Sequence, residues 1–389
     1  MRIALLSTLY PPYILGGAEH STRLLVRLWQ QLGHEVLVVT TSDHDESEVM
    51  DGAQVVRLKN RNIYWRYPQR DKPLALKTIW HAADTYFSFY ARRIRSLLRD
   101  FVPDVIVTGN LCGISPTIWK TCHRMHVPVV HTLRDYYLLC PVQTMTKNGL
   151  SCQKQCFICL TYSINKKRMS RYVDAVVGIS QDILRRHLQQ GYFPNSRQQT
   201  VIPNSVPNIP AIVRQTHHTI GFMGRLSPEK GIEFLIQAFL QSSLSERYVL
   251  YIAGDGNAQY KQLLIEKYSR SSVRFVGQQN ANTFLQSIDL LIVPSLWNEP
   301  FGRVVIEAYA AHCPVLLANN GGLAELQRDG ISWAFPTDFP AELVSLLDRF
   351  GQGELAVREE AFDDVMRDFD ETTVAQSYID LFQSLTKHE

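Results

Sequence analysis

IDLLIVPSLWNEPFGRVVIEAYAAHC, residues 288–313, decides the fold. IDLLIVPS (288–295) is an apolar run with the length of a buried strand, and RVVIEAYAAHC (303–313) repeats apolar residues at helical spacing, so Gly302 marks a strand-to-helix turn. Anions bind at such turns. The N–H groups of Phe301, Gly302 and Arg303 would have no partner inside the helix, and the macrodipole adds partial positive charge there. Glu299 precedes this turn and Glu307 follows it by about one helical turn, two carboxylates that suit the hydroxyls of a polyol. The competing reading is a salt-bridged Glu307 and a solvated Glu299.

The same pattern recurs on both sides. GFMGRLSPEKGIEFLIQAF (221–239) reads as a strand ending at Gly224, a loop carrying Arg225 and Lys230, and an amphipathic helix. YVLYIAGDGN (248–257) and VRFVGQQN (273–280) are strands closed by glycine, and GGLAEL (321–326) reads as a glycine pair opening a helix. Strands punctuated in this way predict parallel βαβ units, whose ligands bind beyond the carboxyl ends of the strands. Fixed Arg and Lys donors at such an end would stabilise negative charge on a bound group. At the other end of the chain, residues 1–41 read as strand, loop, helix, strand. The apolar start runs into Pro11 and Pro12 without a cleavage-like site, so it is a core strand and not a signal peptide. Gly16 and Gly17 open the helix that follows, where backbone can approach a phosphate or a sugar.

Glu299-Pro300-Phe301-Gly302 with Glu307 forms an E-x7-E element, and with GGAEH (16–20) and VIPN (201–204) it makes the chain similar to the retaining glycosyltransferases of family 4. LLCP (138–141) and the cysteines around it point within that family to a subgroup with a cysteine cluster. The resemblance covers nearly the whole chain and implies an α/β GT-B fold, two Rossmann-like parallel-sheet domains facing across a cleft. It implies an acceptor-side domain over 1–203, a nucleotide-sugar domain over 204–370, and a final helix within 371–389 packing back on the first. Arg225 and Lys230 would hold the diphosphate, Glu307 the ribose, and Glu299 with the Phe301–Gly302 backbone the sugar hydroxyls. Gly16, Gly17 and Gly224 would let backbone approach the donor. Attack would come on the face the leaving group departs from, so no enzymic nucleophile is needed. Where the family places a histidine before Asp or Thr, VPVVHTLRDYYLLCP (127–141) has Arg134. Arg134, Asp135 as proton acceptor and His131 are therefore the candidates there, with His131 equally readable as a hydrogen-bonded core residue.

Charge divides at the VIPN seam. Residues 1–203 hold 26 Lys+Arg against 14 Asp+Glu, net +12, and residues 204–389 hold 14 against 23, net −9. The basic runs KNRNIYWRYPQRDK (59–72), ARRIRSLLR (91–99) and NKKRMSR (165–171), with Tyr64, Trp65 and Tyr67, suit an anionic bilayer or a polyprenyl-diphosphate-linked glycan acceptor. With no nucleic-acid motif and an acidic second half, nucleic acid is the weaker partner. No stretch has the length of a transmembrane helix, so the expectation is a cytoplasmic protein, peripheral at the inner face of the plasma membrane.

Cys140, Cys152, Cys156 and Cys159 are four thiols within twenty residues that could close a structural zinc site, with an iron–sulfur cluster, free buried thiols and disulfides as alternatives. No cofactor is expected for catalysis. Asp43-His44-Asp45 imitates a metal-binding D-x-D, but its acidic setting, SDHDESE (42–48), reads as a solvated loop. The overall expectation is a sugar transferase using a UDP- or GDP-sugar in bacterial surface polysaccharide synthesis. The rivals are an epimerase or hydrolase on the same fold, a phosphorylase, for which no lysine has a cofactor setting, and a non-catalytic nucleotide-sugar-binding protein.

Overall fold

The computed structural model describes residues 1–67, 72–147, 149–207 and 216–386. Residues 208–215 of the proline-containing seam VIPNSVPNIPAIVRQTHH (201–218) and residues 68–71 of the basic run at 59–72 lie outside the described residues. The chain divides into two compact units, one of Met1–Met145, Lys154–Asn204 and Glu371–Glu389, the other of Thr146–Gln153 and Ser205–Asp370.

The first unit is built on an eight-stranded sheet. Its spatial order is Gln198–Val201, Ala175–Gly178, Val129–Leu133, Val105–Thr108, Arg2–Leu6, Glu35–Ser42, Ala53–Lys59 and Glu46–Met50. All neighbours are parallel except the last pair. The central strands are buried almost throughout and mostly apolar, as parallel strands covered on both faces are. Arg2–Leu6 is one of them. Part of the stretch read as a solvated acidic loop is instead the antiparallel edge strand Glu46–Met50, whose alternating charge blunts the edge. Asp45 of the D-x-D accepts the Lys59 N–H at 3.0 Å, and Asp43 lies 2.7 Å from His44 Nδ1.

Helix Gly17–Gln31 buries Leu24, Leu25, Leu28 and Trp29 at helical spacing. Against this face packs the C-terminal helix Glu371–Thr386, with Trp29 edge-on to Tyr378 at 5.7 Å and to Phe382 at 5.5 Å. Both helices belong to a core that also takes in Ile3, Leu5, Val36 and Val38.

The second unit holds a six-stranded, all-parallel sheet in the order Val273–Gly277, Val249–Ala253, Thr219–Met223, Leu290–Val293, Val315–Ala318, Ser332–Phe335. The strand order reverses between Thr219–Met223 and Leu290–Val293, so the loops leaving these two strands diverge at a switch point where doubly wound sheets bind ligands. GGLAEL forms only the 3₁₀ turn Ala324–Leu326 in place of the expected helix. A small antiparallel hairpin, Thr146–Lys147 with Leu150–Ser151, also belongs to this unit although its sequence lies inside the first half.

Among the described residues no helix is long and apolar enough to cross a membrane.

Candidate active site

Two loops at the switch point make the site of the second unit. Gly224 ends the first strand and Gly231, at φ 71°, opens helix Ile232–Gln241. A Cβ on Gly231 would come within 2.0 Å of the Pro294 carbonyl oxygen on the neighbouring loop, so this close approach needs glycine. The Leu296 N–H donates to the Glu229 carbonyl at 2.9 Å. The two loops are thus bonded to each other, which sets Lys230 against Glu299.

Lys230 Nζ donates to Glu299 Oε1 at 2.7 Å. The other carboxylate oxygen accepts from Ser295 Oγ at 2.7 Å and from Trp297 Nε1 at 3.1 Å. Both charged side chains are mostly withdrawn from solvent, 19% exposed for Lys230 and 12% for Glu299. Burial pushes the Glu299 carboxyl up, but the Lys230 charge and the three donors outweigh it and hold it below the ordinary carboxylate range. Glu299 is therefore ionised and fixed in orientation.

Beyond it, Gly302 at φ 110° opens helix Arg303–Ala310, and Phe301 is anchored edge-on against Phe369 at 6.1 Å. The first turn of this helix and its macrodipole form an anion-favouring end beside Glu299. Glu307 receives Arg303 Nε at 2.8 Å; burial raises its carboxyl and the Arg303 charge opposes that rise. Glu307 is thus salt-bridged, as its competing reading has it, and an ionised carboxylate has acceptor sites on both oxygens. Arg225 donates to Glu229 at 2.8 Å and is half exposed, a cation on a movable stem over the same loop.

The hairpin was not read from sequence, although Asn148-Gly149 is the dipeptide that favours a tight hairpin turn. It reaches both site loops: Ser151 Oγ accepts the Asn298 N–H at 2.8 Å, and the Gly149 backbone packs on Pro228. Glu299 is further held from behind, where its carbonyl accepts the Gly322 N–H at 2.7 Å. Gly321 and Gly322 thus act as a support for the Glu299 loop.

The remaining candidates lie in the first unit. Gly16 caps helix Gly17–Gln31, but its N–H is already taken by Glu19 Oε2 at 3.0 Å, so the chain's own carboxylate occupies part of the expected anion position. His131 is a core residue. Its Nδ1 lies 2.8 Å from Thr108 Oγ1, its ring meets Trp119 edge-on at 4.9 Å, and burial lowers its pKa to about 3. The ring is buried and neutral, as the core reading of this residue has it, and it lines the same crevice as Arg134 and Asp135.

Asp135 differs from its neighbour. It is half-buried, accepts from Asn110 Nδ2 at 2.9 Å and from the Tyr137 N–H at 2.7 Å, and burial raises its pKa to about 6. Arg134 bonds to Asn204 Oδ1. Both line a small crevice with Gly109, Asn110 and Thr132.

Two basic-run residues are not surface charges. Lys166 is buried, donates to the Tyr137 carbonyl at 2.8 Å and lies 3.6 Å from that residue's ring centroid. Arg66 contacts the Cys112 sulfur at 2.5 Å. Tyr13, Trp65 and Tyr67 pack on one another, with Tyr13 and Trp65 centroids 4.8 Å apart.

The cysteines divide. Cys140, Cys156 and Cys159 belong to the first unit, with Cys140 and Cys159 buried, and Cys152 to the second. Among the described residues, no group of three or more His, Cys, Asp or Glu side chains is arranged to hold a metal ion, and no disulfide is formed.

Two family models match the chain: "Glycosyl transferase 4-like domain" over residues 16–205 and "Glycosyl transferases group 1" over 210–361. A Klebsiella pneumoniae protein named "Uncharacterized 42.6 kDa protein in cps region" is 34% identical over 333 residues, 84% of this chain and 88% of that protein. Sucrose-phosphate synthase from Thermosynechococcus elongatus superposes with TM-score 0.75 at 19% identity, over 100% of both chains. Anabaena HepE in complex with UDP superposes with TM-score 0.72 at 18% identity, over 99% of this chain and 100% of that one.

Proposed function

We propose, from the premise that this chain belongs to the glycosyltransferases with a 4-like domain and a group 1 domain, that it moves a sugar from a nucleotide diphosphate sugar to a glycan or lipid-linked glycan with retention of configuration. The observation that carries this reading is the Lys230–Glu299 pair at 2.7 Å beside the first turn of helix Arg303–Ala310. Transfer from such a donor leaves two negative phosphates. Lys230 keeps two further ammonium donors for them, Arg225 can leave Glu229 to join it, and the helix end adds its N–H groups.

Glu299, ionised and triply bonded, is oriented to accept sugar hydroxyls. Glu307 accepts from the ribose. No residue of the second unit need act as nucleophile in attack from the face of departure. On the acceptor side, Asp135, raised to about 6, is the group suited to take the proton of the incoming hydroxyl. Arg134 binds an anionic part of the acceptor.

The donor is a UDP- or GDP-sugar and the chemistry needs no metal. The Klebsiella relative, named for a cps region, supports surface polysaccharide synthesis as the setting. The net +12 of the first half supports work at an anionic membrane surface.

A panel of UDP-, GDP- and ADP-sugars tested by thermal shift and slow hydrolysis in EDTA checks this reading. One donor should stabilise the wild type and be hydrolysed by it, with Arg225→Ala and Glu307→Ala each weakening binding, and the released sugar should keep the donor's anomeric configuration. A changed nucleotide sugar without acceptor would indicate an epimerase. Binding without turnover would indicate a binding protein, and no binding at all would remove the site.

A further inference from the structure

Helices Leu74–Tyr86 and Phe157–Met169 of the first unit lie side by side. The Tyr162 ring meets His81 edge-on at 5.8 Å, and Asn165 Nδ2 donates to the Thr85 carbonyl at 2.6 Å. Each helix has an inward set, Trp80, Asp84 and Thr85 on the first and Cys159, Ser163, Lys166 and Met169 on the second. The opposite faces meet solvent, and on a helix covering a water-soluble domain they would be polar.

They are apolar instead. Leu74 is 80% exposed and is joined by Ile79, Tyr86 and the adjoining Phe87. Phe157 is 79% exposed and Ile164 64%, with Ile158 and Leu160 between them. Single exposed apolar residues are ordinary, but eight large ones on two contacting helices form a patch of the kind that marks an interaction site.

Charge selects the occupant. Residues 72–99 and 153–171 contain one acidic residue, Asp84, and it is buried. Exposed cations flank these helices in sequence: Lys154 before the second, Lys167 and Arg168 in its last turn, and Arg92 and Arg93 shortly after Phe87. A second copy of this chain docked symmetrically on the patch would set these cations against their own kind. A surface that is apolar below and anionic at its rim fits both features.

We infer that these two outward faces seat the first unit on an anionic lipid bilayer. Phe157, Ile164, Ile79 and Phe87 enter the boundary between headgroups and acyl chains, and the flanking cations engage the headgroup phosphates. This rests on the part of the functional reading that puts the chain at a membrane and is independent of the transfer reaction. It also relocates the contact, since the aromatics at 64–67 are packed among themselves.

Flotation of the full chain with phosphatidylglycerol–phosphatidylethanolamine vesicles, compared with phosphatidylcholine vesicles, is the test. The wild type should float with the anionic vesicles and lose binding as salt is raised. Phe157→Ser with Ile164→Ser, and separately Lys167→Gln with Arg168→Gln, should each weaken partitioning about tenfold or more. All four residues are exposed, so the circular dichroism spectrum and the donor-induced thermal shift should be unchanged.

If the wild type floats and the variants float equally well, this patch is wrong and the membrane reading survives. If the wild type floats with neither vesicle, both fall. A dimer seen by sedimentation and broken by the Phe157 and Ile164 substitutions, without flotation, would assign the patch to a second copy and overturn the inference.

Discussion

Lys230 Nζ lies 2.7 Å from Glu299 Oε1, across 69 residues of sequence, and this contact joins the Leu296–Glu229 backbone bond in tying together the loops that leave the two strands at the switch point. Its loss has a signed dependence on pH. The carboxyl of Glu299 is held below its unfolded value in the native state, so its stabilisation is present above about pH 4.5 and is lost as pH falls through the native pKa. In Lys230→Met, burial is unopposed and the carboxyl rises. The variant should be roughly 3 kcal/mol less stable than wild type near neutral pH, as for a partner removed from a buried pair. That gap should shrink toward pH 4. Urea titrations of both proteins at pH 7 and pH 4 check this, and a constant gap would mean that the pair is not electrostatically coupled.

Ser151 should be a positioning residue for Glu299. Its hydroxyl accepts the Asn298 N–H, one residue before the carboxylate. Ser151→Ala removes about 1 kcal/mol of hydrogen bonding, so donor dissociation should rise about fivefold through looser placement of the Glu299 loop. Ser151→Thr should restore most of it. Calorimetric titration with the donor reads this; an unchanged affinity in Ser151→Ala would leave the hairpin with a packing role alone.

The second unit was legible because its chemistry is local. Strand, glycine, loop and helix follow one another in sequence at Gly224–Ile232 and Leu290–Arg303, and parallel pairing then brings the loops together without further information. The helix expected after Gly321 is cut to the single turn Ala324–Leu326, and what the glycine pair does there, donating the Gly322 N–H to the Glu299 carbonyl, is a long-range contact no local pattern reports. Residues of the first unit were harder to place. Whether His131 faces solvent or core depends on Trp119 and Phe193, which arrive from distant segments. Charge counting likewise could not tell Lys166, enclosed by Tyr137, from Lys167, in solvent.

Because His131 is buried and neutral, it should make the protein acid-sensitive without setting a catalytic pKa. Its native pKa of about 3 lies below the ordinary 6.5, so the unfolded chain takes the proton first and stability falls as pH drops from 6.5. The cost is about 1.4 kcal/mol per pH unit. Asp84 and Asp135, raised to about 6 by burial, act in the opposite sense, but they are common to wild type and variant. His131→Asn should therefore be less stable than wild type at pH 7.5, and the difference should narrow by about 1 kcal/mol between pH 6.5 and 5.5. Parallel loss of stability in the two proteins would show that the ring is charged in the fold.

Phe382 tests whether the end of the chain is structural. It is fully buried, meets Trp29 at 5.5 Å and Tyr378 at 6.0 Å, and shares a core with strands from the first forty residues. Phe382→Ala should cost roughly 3–5 kcal/mol, because the transfer term is joined by a cavity that a sheet-backed site cannot collapse. The loss belongs to the first unit. Denaturation followed by Trp fluorescence should show its transition at lower urea, while the donor-induced thermal shift, which reports on Lys230 and Glu299, stays as in wild type. If instead the donor site and the first unit fail together, the two units fold as one cooperative body, and the C-terminal helix is a support for both.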